Sequence, residues 1–576
     1  MKLLITSLVF FFASAISKNN DNLTTVFEQS NGFETATYTQ VIKYYNLLAN
    51  KFPHISISEM GKTDSGKPLH TVIFNPSGKQ SFDEIRKNKT VLLINNGIHP
   101  GESDGIDASM MLFRDLANGK LAVPKNTVIV IIPVYNIGGS LNRNSHSRTN
   151  QNGPKEYGFR GNARNFDLNR DFIKNDTLNA KSFAEIFHLV QPDVFIDNHV
   201  SNGADYQYVL THLFTQHNKL GGELGQYINQ FMQPSLEKKL KAKNWDVTPY
   251  VNVFNRVPET GFQQFMDHPR YSTGYTTLFN TIGMMVETHM LKPYKQRVEG
   301  TYELMVSMIE IMETESKHIK QLRKDYYQKV YAQEKYTLDW EVDKNKNSLL
   351  NFKGYEGTMI DSKVTNAKRL KYDRNKPFTK QVKYQNQFKP KTQINIPKAY
   401  IIPQGWHNVI NLLKLNHVKM KQLDSDKEFN VESYRIENYE TRKSPYEGHY
   451  QHYNTQLNSE NINRIFKKGD YLIELNQPSI RYIIETLEPQ APDSFFNWNF
   501  FDTILQRKEG FSPYVFEEIA EKILKDNPSL QQEFNQKIKE DSEFNKNWYA
   551  QLSWIHKKSQ HYEKAHMQYP VYRILK

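Results

Sequence analysis

Short apolar runs that each break into a polar turn constrain this chain more than any other feature. Val91-Leu92-Leu93-Ile94 leads through Asn95-Asn96-Gly97 into His99-Pro100-Gly101-Glu102. Thr127 to Val134 leads into Tyr135-Asn136, Val194-Phe195-Ile196 into Asp197-Asn198-His199, and Thr281 to Val286 into Glu287. Short continuous apolar runs bounded by turn signals read as strands buried on both faces. Amphipathic segments lie between them: Ile106, Met110, Phe113 and Leu116 recur at helical spacing before an Asn118-Gly119 stop, and Asn179 to Val190 forms a second such stretch. Buried strands alternating with helices predict an α/β fold, a mixed, mostly parallel sheet flanked by helices. In open α/β sheets ligands bind beyond the C-terminal strand ends, where His99, Asn136, His199 and Glu287 fall.

The rest of the chain extends this pattern. Thr37 to Phe52 reads as an amphipathic helix, and His54–Met60 and Leu69–Phe74 as a hairpin. Gly221 to Lys241 reads as one helix, and Lys295 to Ala332 as a long helix that closes the first domain. Ser140 to Asp171 is a polar loop with five arginines, a length that loops rarely reach unless they carry function. Beyond Asp343 the texture changes to Lys/Asn-rich segments with short alternating stretches, then helical patterns from Tyr514 to Lys525 and Ser529 to His556. The expected organisation is a signal peptide at 1–15, a catalytic domain at 22–336, a smaller β-rich accessory domain at 343–490 and a mostly helical segment at 491–576.

Composition removes several functions. With no cysteine, the chain has no disulfide framework, no thiol nucleophile and no Cys-ligated zinc. At 576 residues it has enough core to do without such staples. The formal charge of +12 is spread along the sequence without a recognised nucleic-acid motif, so no nucleic-acid partner is expected. Lys2, the apolar stretch that follows and Ala13-Ser14-Ala15 read as a cleaved export signal, shorter than the roughly 20 residues of a spanning helix. No later stretch is long and apolar enough to span a bilayer. The expected product is exported, periplasmic or extracellular.

A histidine and a carboxylate three residues apart in a strand-to-helix turn suit a borderline-soft cation such as zinc, given a third ligand from elsewhere and an open fourth position. Five pieces in order carry a resemblance: His99-x-x-Glu102 after a strand, Phe159-Arg160-Gly161-Asn162, Asp167-Leu168-Asn169-Arg170, strand-terminal His199, and Val286-Glu287-Thr288. Together they resemble the zinc carboxypeptidases, the carboxypeptidase A-like metallopeptidases, over Thr37 to Tyr294. The resemblance implies one Zn²⁺ per catalytic domain on His99, Glu102 and His199, with Glu287 as general base toward a zinc-activated water. It also implies that Arg160 steadies the oxyanion, that Asn169 and Arg170 grip the substrate's terminal carboxylate, and that Asp167 orients a ligand histidine. Arg164 lies close enough in sequence to compete with Arg160. Tyr271 and Tyr275 compete for the substrate-site tyrosine, with Tyr271 preferred.

Besides the two candidate tyrosines, a departure from the family pattern is Asp171, which follows Arg170 where a second asparagine is common and sets a negative charge beside the expected clamp. The leading expectation is therefore an exported metallocarboxypeptidase acting on C-terminal peptide bonds. One alternative keeps the metal site for cell-wall peptides or another amide, and another is a catalytically weak module that binds peptide termini or glycans. Segments 399–413, 469–477 and Leu487 to Asp502 resemble extensions attached to bacterial carboxypeptidase-like proteins and carry no implied chemistry.

Overall fold

A computed structural model describes residues 23–78 and 80–576. The expected signal segment at 1–15 lies outside the described residues. The strands are, in chain order, β1 (Ile55–Lys62), β2 (Pro68–Phe74), β3 (Thr90–Asn95), β4 (Thr127–Ile132), β5 (Val194–Ser201), β6 (Leu210–Phe214), β7 (Val247–Pro249), β8 (Phe262–Gln263) and β9 (Ile282–His289). All but β8 form one sheet in the order β1-β2-β4-β3-β5-β9-β6-β7. Its centre, β4-β3-β5-β9, is parallel throughout, while β1, β2 and β6 attach antiparallel to their neighbours. Every residue of β3, β4 and β5 is buried, as expected of strands covered on both faces.

Helices supply the two covers. Tyr38–Lys51 begins with a capping box in which Thr37 and Gln40 satisfy each other's backbone N–H groups. Asp104–Ala117 packs against the long helix Tyr294–Lys324. That long helix breaks at Asp325 and resumes as Tyr326–Ala332, so the single helix expected from 295 to 332 is two. The segment expected as one helix from 221 to 241 runs Gly222–Tyr227, a π turn at Ile228–Met232, and Gln233–Ala242.

The later strands are β10 (Lys335–Val342), β11 (Ser348–Asp361), β12 (Lys368–Gln385), β13 (Phe388–Asn395), β14 (Ala399–Ile402), β15 (Lys421–Gln422), β16 (Lys427–Thr441), β17 (His452–Phe466), β18 (Tyr471–Glu474) and β19 (Gln568–Ile574). The long hairpin β11/β12 joins β8, which comes from the first half of the chain. Six strands form a second sheet in the order β15-β18-β14-β19-β16-β17. Because β19 pairs with both β14 and β16, the helical stretch after residue 491 is an excursion that ends inside this sheet.

The two halves are packed together through polar contacts as well as apolar ones. Arg481, on the helix Ile480–Leu487, donates to the carbonyls of Lys219 and Leu220 at 2.8 Å. Tyr275 Oη donates to Asn416 Oδ1 at 2.6 Å, and His188 stacks on His417 with ring centroids 4.7 Å apart. Burial, with His417 adding to it, pushes the His188 imidazole down to about 3. The sign follows from linkage: a base depressed in the folded state stabilises fully above its unfolded pKa and loses that contribution as pH falls towards the folded value. Melting temperature is expected to fall as pH drops from about 6.5 towards 4. A His188→Phe variant should lose stability less steeply over that range, and parallel pH slopes for the two proteins would remove His188 as the cause.

Candidate active site

Strand register brings the distant residues together. Asp197, Asn198 and His199 of β5 lie beside Met285, Val286 and Glu287 of β9, so His199 and Glu287 are direct parallel neighbours. β3 ends one strand away at Asn95, and the turn after it carries His99 and Glu102 to the same edge. Asn136, capping the short helix after β4, donates to the carbonyls of Ile98 and Arg160 at 3.3 and 2.9 Å. It thereby ties the long polar loop to the His99 turn. Gly101 is needed in that turn because a Cβ there would collide with the Arg148 side chain and the Gly158 carbonyl.

His99, Glu102 and His199 are each about 97% buried, with one ligand atom from each lying within 4.8 Å of the others. Glu102 stands between the imidazoles: Oε1 is 3.3 Å from His99 Nδ1, and Oε2 is 3.1 Å from His199 Nδ1 while accepting the Val200 N–H at 2.9 Å. Each imidazole meets a second carboxylate through Nε2, His99 with Asp167 at 2.9 Å and His199 with Asp197 at 2.9 Å. His99 Nδ1 has no hydrogen-bond partner among the described residues although it is buried and faces the carboxylate. An orphaned imidazole nitrogen, a second imidazole and a carboxylate within reach of one point fit a divalent ion with N and O preference, and fit zinc well. The carboxylates behind the imidazoles are the partners that fix tautomer and raise ligand basicity.

The electrostatics are those of a crowded charge cluster. Burial pushes the Glu102 carboxyl up, but Arg148, His99 and His199 together hold it well below the usual range. Desolvation pushes Glu287 up to about 7, His199 and Arg160 opposing the rise and Glu102 and Asp197 adding to it. Glu287 keeps part of its surface open to the cleft, yet protein encloses it on the remaining sides.

A cleft of about 530 Å³ opens above the cluster and is lined by His99, Glu102, His199, Glu287, Arg160, Asn169, Arg170 and Tyr271 among others. All nine residues singled out in the sequence reach this cleft except Asp167, which lies behind it. Asp167 binds His99 with one oxygen and Arg160 with the other, Arg160 Nη2 being 2.8 Å away. Arg170 lies over the Tyr271 ring, its guanidinium carbon 4.5 Å from the centroid. Tyr275 is fully buried, with its hydroxyl on Asn416, so of the two tyrosines Tyr271 faces the cleft. Arg164 packs on Phe166 and is absent from the lining, whereas Arg160 reaches the cleft.

Asp171 turns away from the cleft that Asn169 and Arg170 line. It is fully buried and accepts from Lys174 Nζ at 2.9 Å, from the backbone of Asp176 and Thr177 at 3.0 Å, and from Thr177 Oγ1 at 2.7 Å. Its charge is neutralised in the turn that starts the helix Leu178–Val190, and it is not part of the cleft wall.

Two residues that sequence reasoning passed over belong to the cluster. Arg148 places Nη2 2.9 Å from Glu102 Oε1, closer than Arg160 at 3.7 Å. Asp197 was legible in principle, since residues two apart on a strand share a face and it precedes His199 by two. Arg148 had no such signal, being one of five arginines in an aperiodic loop.

The accessory half also touches this region. Glu447, in the turn between β16 and β17, accepts the Asp167 N–H at 2.8 Å. His449 Nε2 lies 2.9 Å from Asp176, and Asp493 pairs with Arg270 at 2.8 Å, next to Tyr271.

Residues 41–192 match the family model described as zinc carboxypeptidase. That stretch is similar to a zinc carboxypeptidase domain. The chain is 22% identical over 470 residues to carboxypeptidase 2 of Trichophyton rubrum, covering 78% of this chain and 81% of that protein. Carboxypeptidase 2 of Trichophyton tonsurans is 22% identical over 455 residues, 75% of this chain and 78% of the relative. Among solved structures, a metallo-carboxypeptidase from Burkholderia cenocepacia aligns with TM-score 0.37 at 16% identity, covering 49% of this chain and 70% of that one. Carboxypeptidase A from Helicoverpa armigera aligns with TM-score 0.37 at 14% identity, over 49% and 74%. The Trichophyton matches are longer than the carboxypeptidase domain itself and so run on into the accessory half.

Two variants probe the supports of this site. Asp197→Asn should keep the fold and weaken zinc affinity by about 10–100-fold, measured by competition with a chelating dye. Glu447→Ala should raise KM for short peptides several-fold with zinc content unchanged, and an unaltered KM would show that the Asp167 loop stands without the accessory turn.

Proposed function

We propose that this chain is an exported zinc metallocarboxypeptidase that removes C-terminal residues from peptides. The observation that supports the reading best is the pairing of a buried His99-Glu102-His199 cluster with Glu287 on the adjacent strand and Asn169-Arg170 in the same cleft. His99, Glu102 and His199 would hold the zinc, which supplies Lewis-acid charge that acidifies water and polarises the scissile carbonyl.

The side chains account for the remaining work. Arg170 and Asn169 take the substrate's terminal carboxylate, and a planar guanidinium meets it with two parallel N–H groups. That anchoring selects chain ends and sets the last peptide bond beside Glu287. The Asn169 carboxamide oxygen accepts the Ser272 N–H at 3.2 Å, which fixes the amide so that its NH₂ group is left to donate. Tyr271 rests on Arg170 and forms a wall of the subsite for the departing residue. Glu287 accepts a proton from the attacking water and delivers it to the leaving amine nitrogen, and a carboxyl raised towards 7 is suited to both transfers. Arg148 and Arg160 offer fixed positive charge where the carbonyl oxygen becomes negative.

Export rests on the pattern at Met1 to Ala15. Among the described residues no helix is long and apolar enough to cross a membrane. The cell-wall alternative drew on Asp171 and the export signal together, and the burial of Asp171 against Lys174 and Thr177 weakens the first of these grounds.

Glu287→Gln should bind zinc at full stoichiometry and lose about 10³-fold or more in kcat, whereas His199→Ala should lose the metal itself. Metal content and hydrolysis of short blocked peptides, with and without a chelator, check both. Normal turnover by the glutamine variant would overturn the assignment of the base. A peptide amidated at its C-terminus should be cut far more slowly than the free acid, and equal rates would remove the carboxylate clamp.

A further inference from the structure

The molecule has a second large concavity at the opposite end of the main sheet. The zinc carboxypeptidase cleft lies beyond the C-terminal ends of β5 and β9, whereas Asp193 and Thr281, which immediately precede those strands, line the other cavity. It has a volume of about 940 Å³, in the range of sites that enclose an organic ligand. One wall is the helix Phe82–Asn88 together with the end of the long helix Tyr294–Lys324, and the other is accessory chain around His417, Lys419 and Ser479.

Its charge is one-sided. Seven lysines and arginines line it against a single carboxylate, Asp193. That carboxylate is already taken, by the Val91 N–H at 2.9 Å and by Arg323. Arg86, Lys320 and Arg323 are held in place by backbone carbonyls. Lys87, Lys317, Lys324 and Lys419 are exposed and make no ion pair among the described residues. The floor is aromatic. Phe279 lies edge-on to His188 at 4.7 Å, His188 stacks on His417, and Phe187 and Tyr327 complete it.

Spacing narrows the ligand. Lys317 and Lys324 are seven residues apart on one helix, two turns or about 10 Å along its axis. Lys87 and Lys419 come from separate elements, Lys419 from the accessory half. Cations distributed along two walls do not converge on one point as a phosphate cradle would. They suit carboxylates strung along a chain, while the aromatic floor suits a flat apolar side chain between them.

We propose that this interdomain cleft is a binding site, separate from the catalytic cleft, for an acidic peptide segment carrying an aromatic residue. Such a ligand bridges the two halves of the chain, since its carboxylates meet lysines from both.

The test uses the full-length, zinc-loaded protein and the peptide Trp-Glu-Glu-Glu-Glu-amide, whose blocked C-terminus keeps it out of the carboxylate clamp. Isothermal titration at low salt should detect saturable binding that weakens about tenfold or more in the double variant Lys87→Glu/Lys324→Glu, and likewise in Lys419→Glu, with melting temperatures unchanged. Binding should survive His199→Ala, a result independent of whether the catalytic reading holds. The tetraglutamate amide without tryptophan should bind more weakly. No saturable binding, or binding indifferent to the charge reversals, overturns the proposal. Loss of binding in His199→Ala relocates the peptide to the catalytic cleft and overturns it too, and displacement by millimolar inorganic phosphate would assign a phosphate ligand in place of a peptide.

Discussion

One carboxylate holds the site's separate tasks in a common geometry. Asp167 gives one oxygen to His99 and the other to Arg160, its side chain accepts the Asn169 N–H at 2.9 Å, and its own N–H is held by Glu447 from the other half of the chain. A shift in Asp167 would move His99, a cation aimed at the cleft and the Asn169-Arg170 segment proposed as the carboxylate clamp at once. Burial of the Asp167 carboxyl raises its pKa, but His99, Arg160 and Arg170 outweigh that and hold it well below the ordinary carboxylate range. It therefore stays ionised, and an acceptor, at pH values where an ordinary carboxyl is already protonated.

The central sheet and the grouping of His99, Glu102 and His199 were legible in sequence for the same physical reason. A strand buried on both faces must be a continuous apolar run, so β3, β4, β5 and β9 announce themselves. Each run ends where a polar residue is tolerated, at the sheet edge, which puts His99, His199 and Glu287 in view before any coordinates. What escaped notice sits where periodicity is lost. Arg148 comes from a loop held by single hydrogen bonds such as that from Asn136 to the Arg160 carbonyl, and no spacing rule encodes such contacts. Asp171 misled for a related reason. Its neighbourhood in sequence is the clamp, but its partners are the backbone of residues 176 and 177, five and six positions on, and only the turn's conformation reveals that.

The accessory half was harder to read. Its long strands β11, β12, β16 and β17 are solvated along much of their length, so they lack the apolar signature and carry Lys, Asn and Glu instead. Sequence texture suggested a mostly β unit and then helices, yet could not reveal that β8 from the first half pairs with β12, or that a turn between β16 and β17 reaches the Asp167 loop. Contacts between residues 280 positions apart leave no local trace. They are also the contacts that make the accessory half a neighbour of the candidate site.

The return of β19 to the second sheet has a consequence for how the protein is made. β14 and β16 lie on either side of it, so they have no mutual partner until residues 568–574 have emerged from the ribosome. For the whole time that the helical excursion is being synthesised, two strands present open hydrogen-bonding edges, the kind of edge that recruits other chains. Closure of the sheet thus reports that synthesis has passed residue 574, and a chain interrupted in the excursion keeps those edges exposed and open to pairing with other chains.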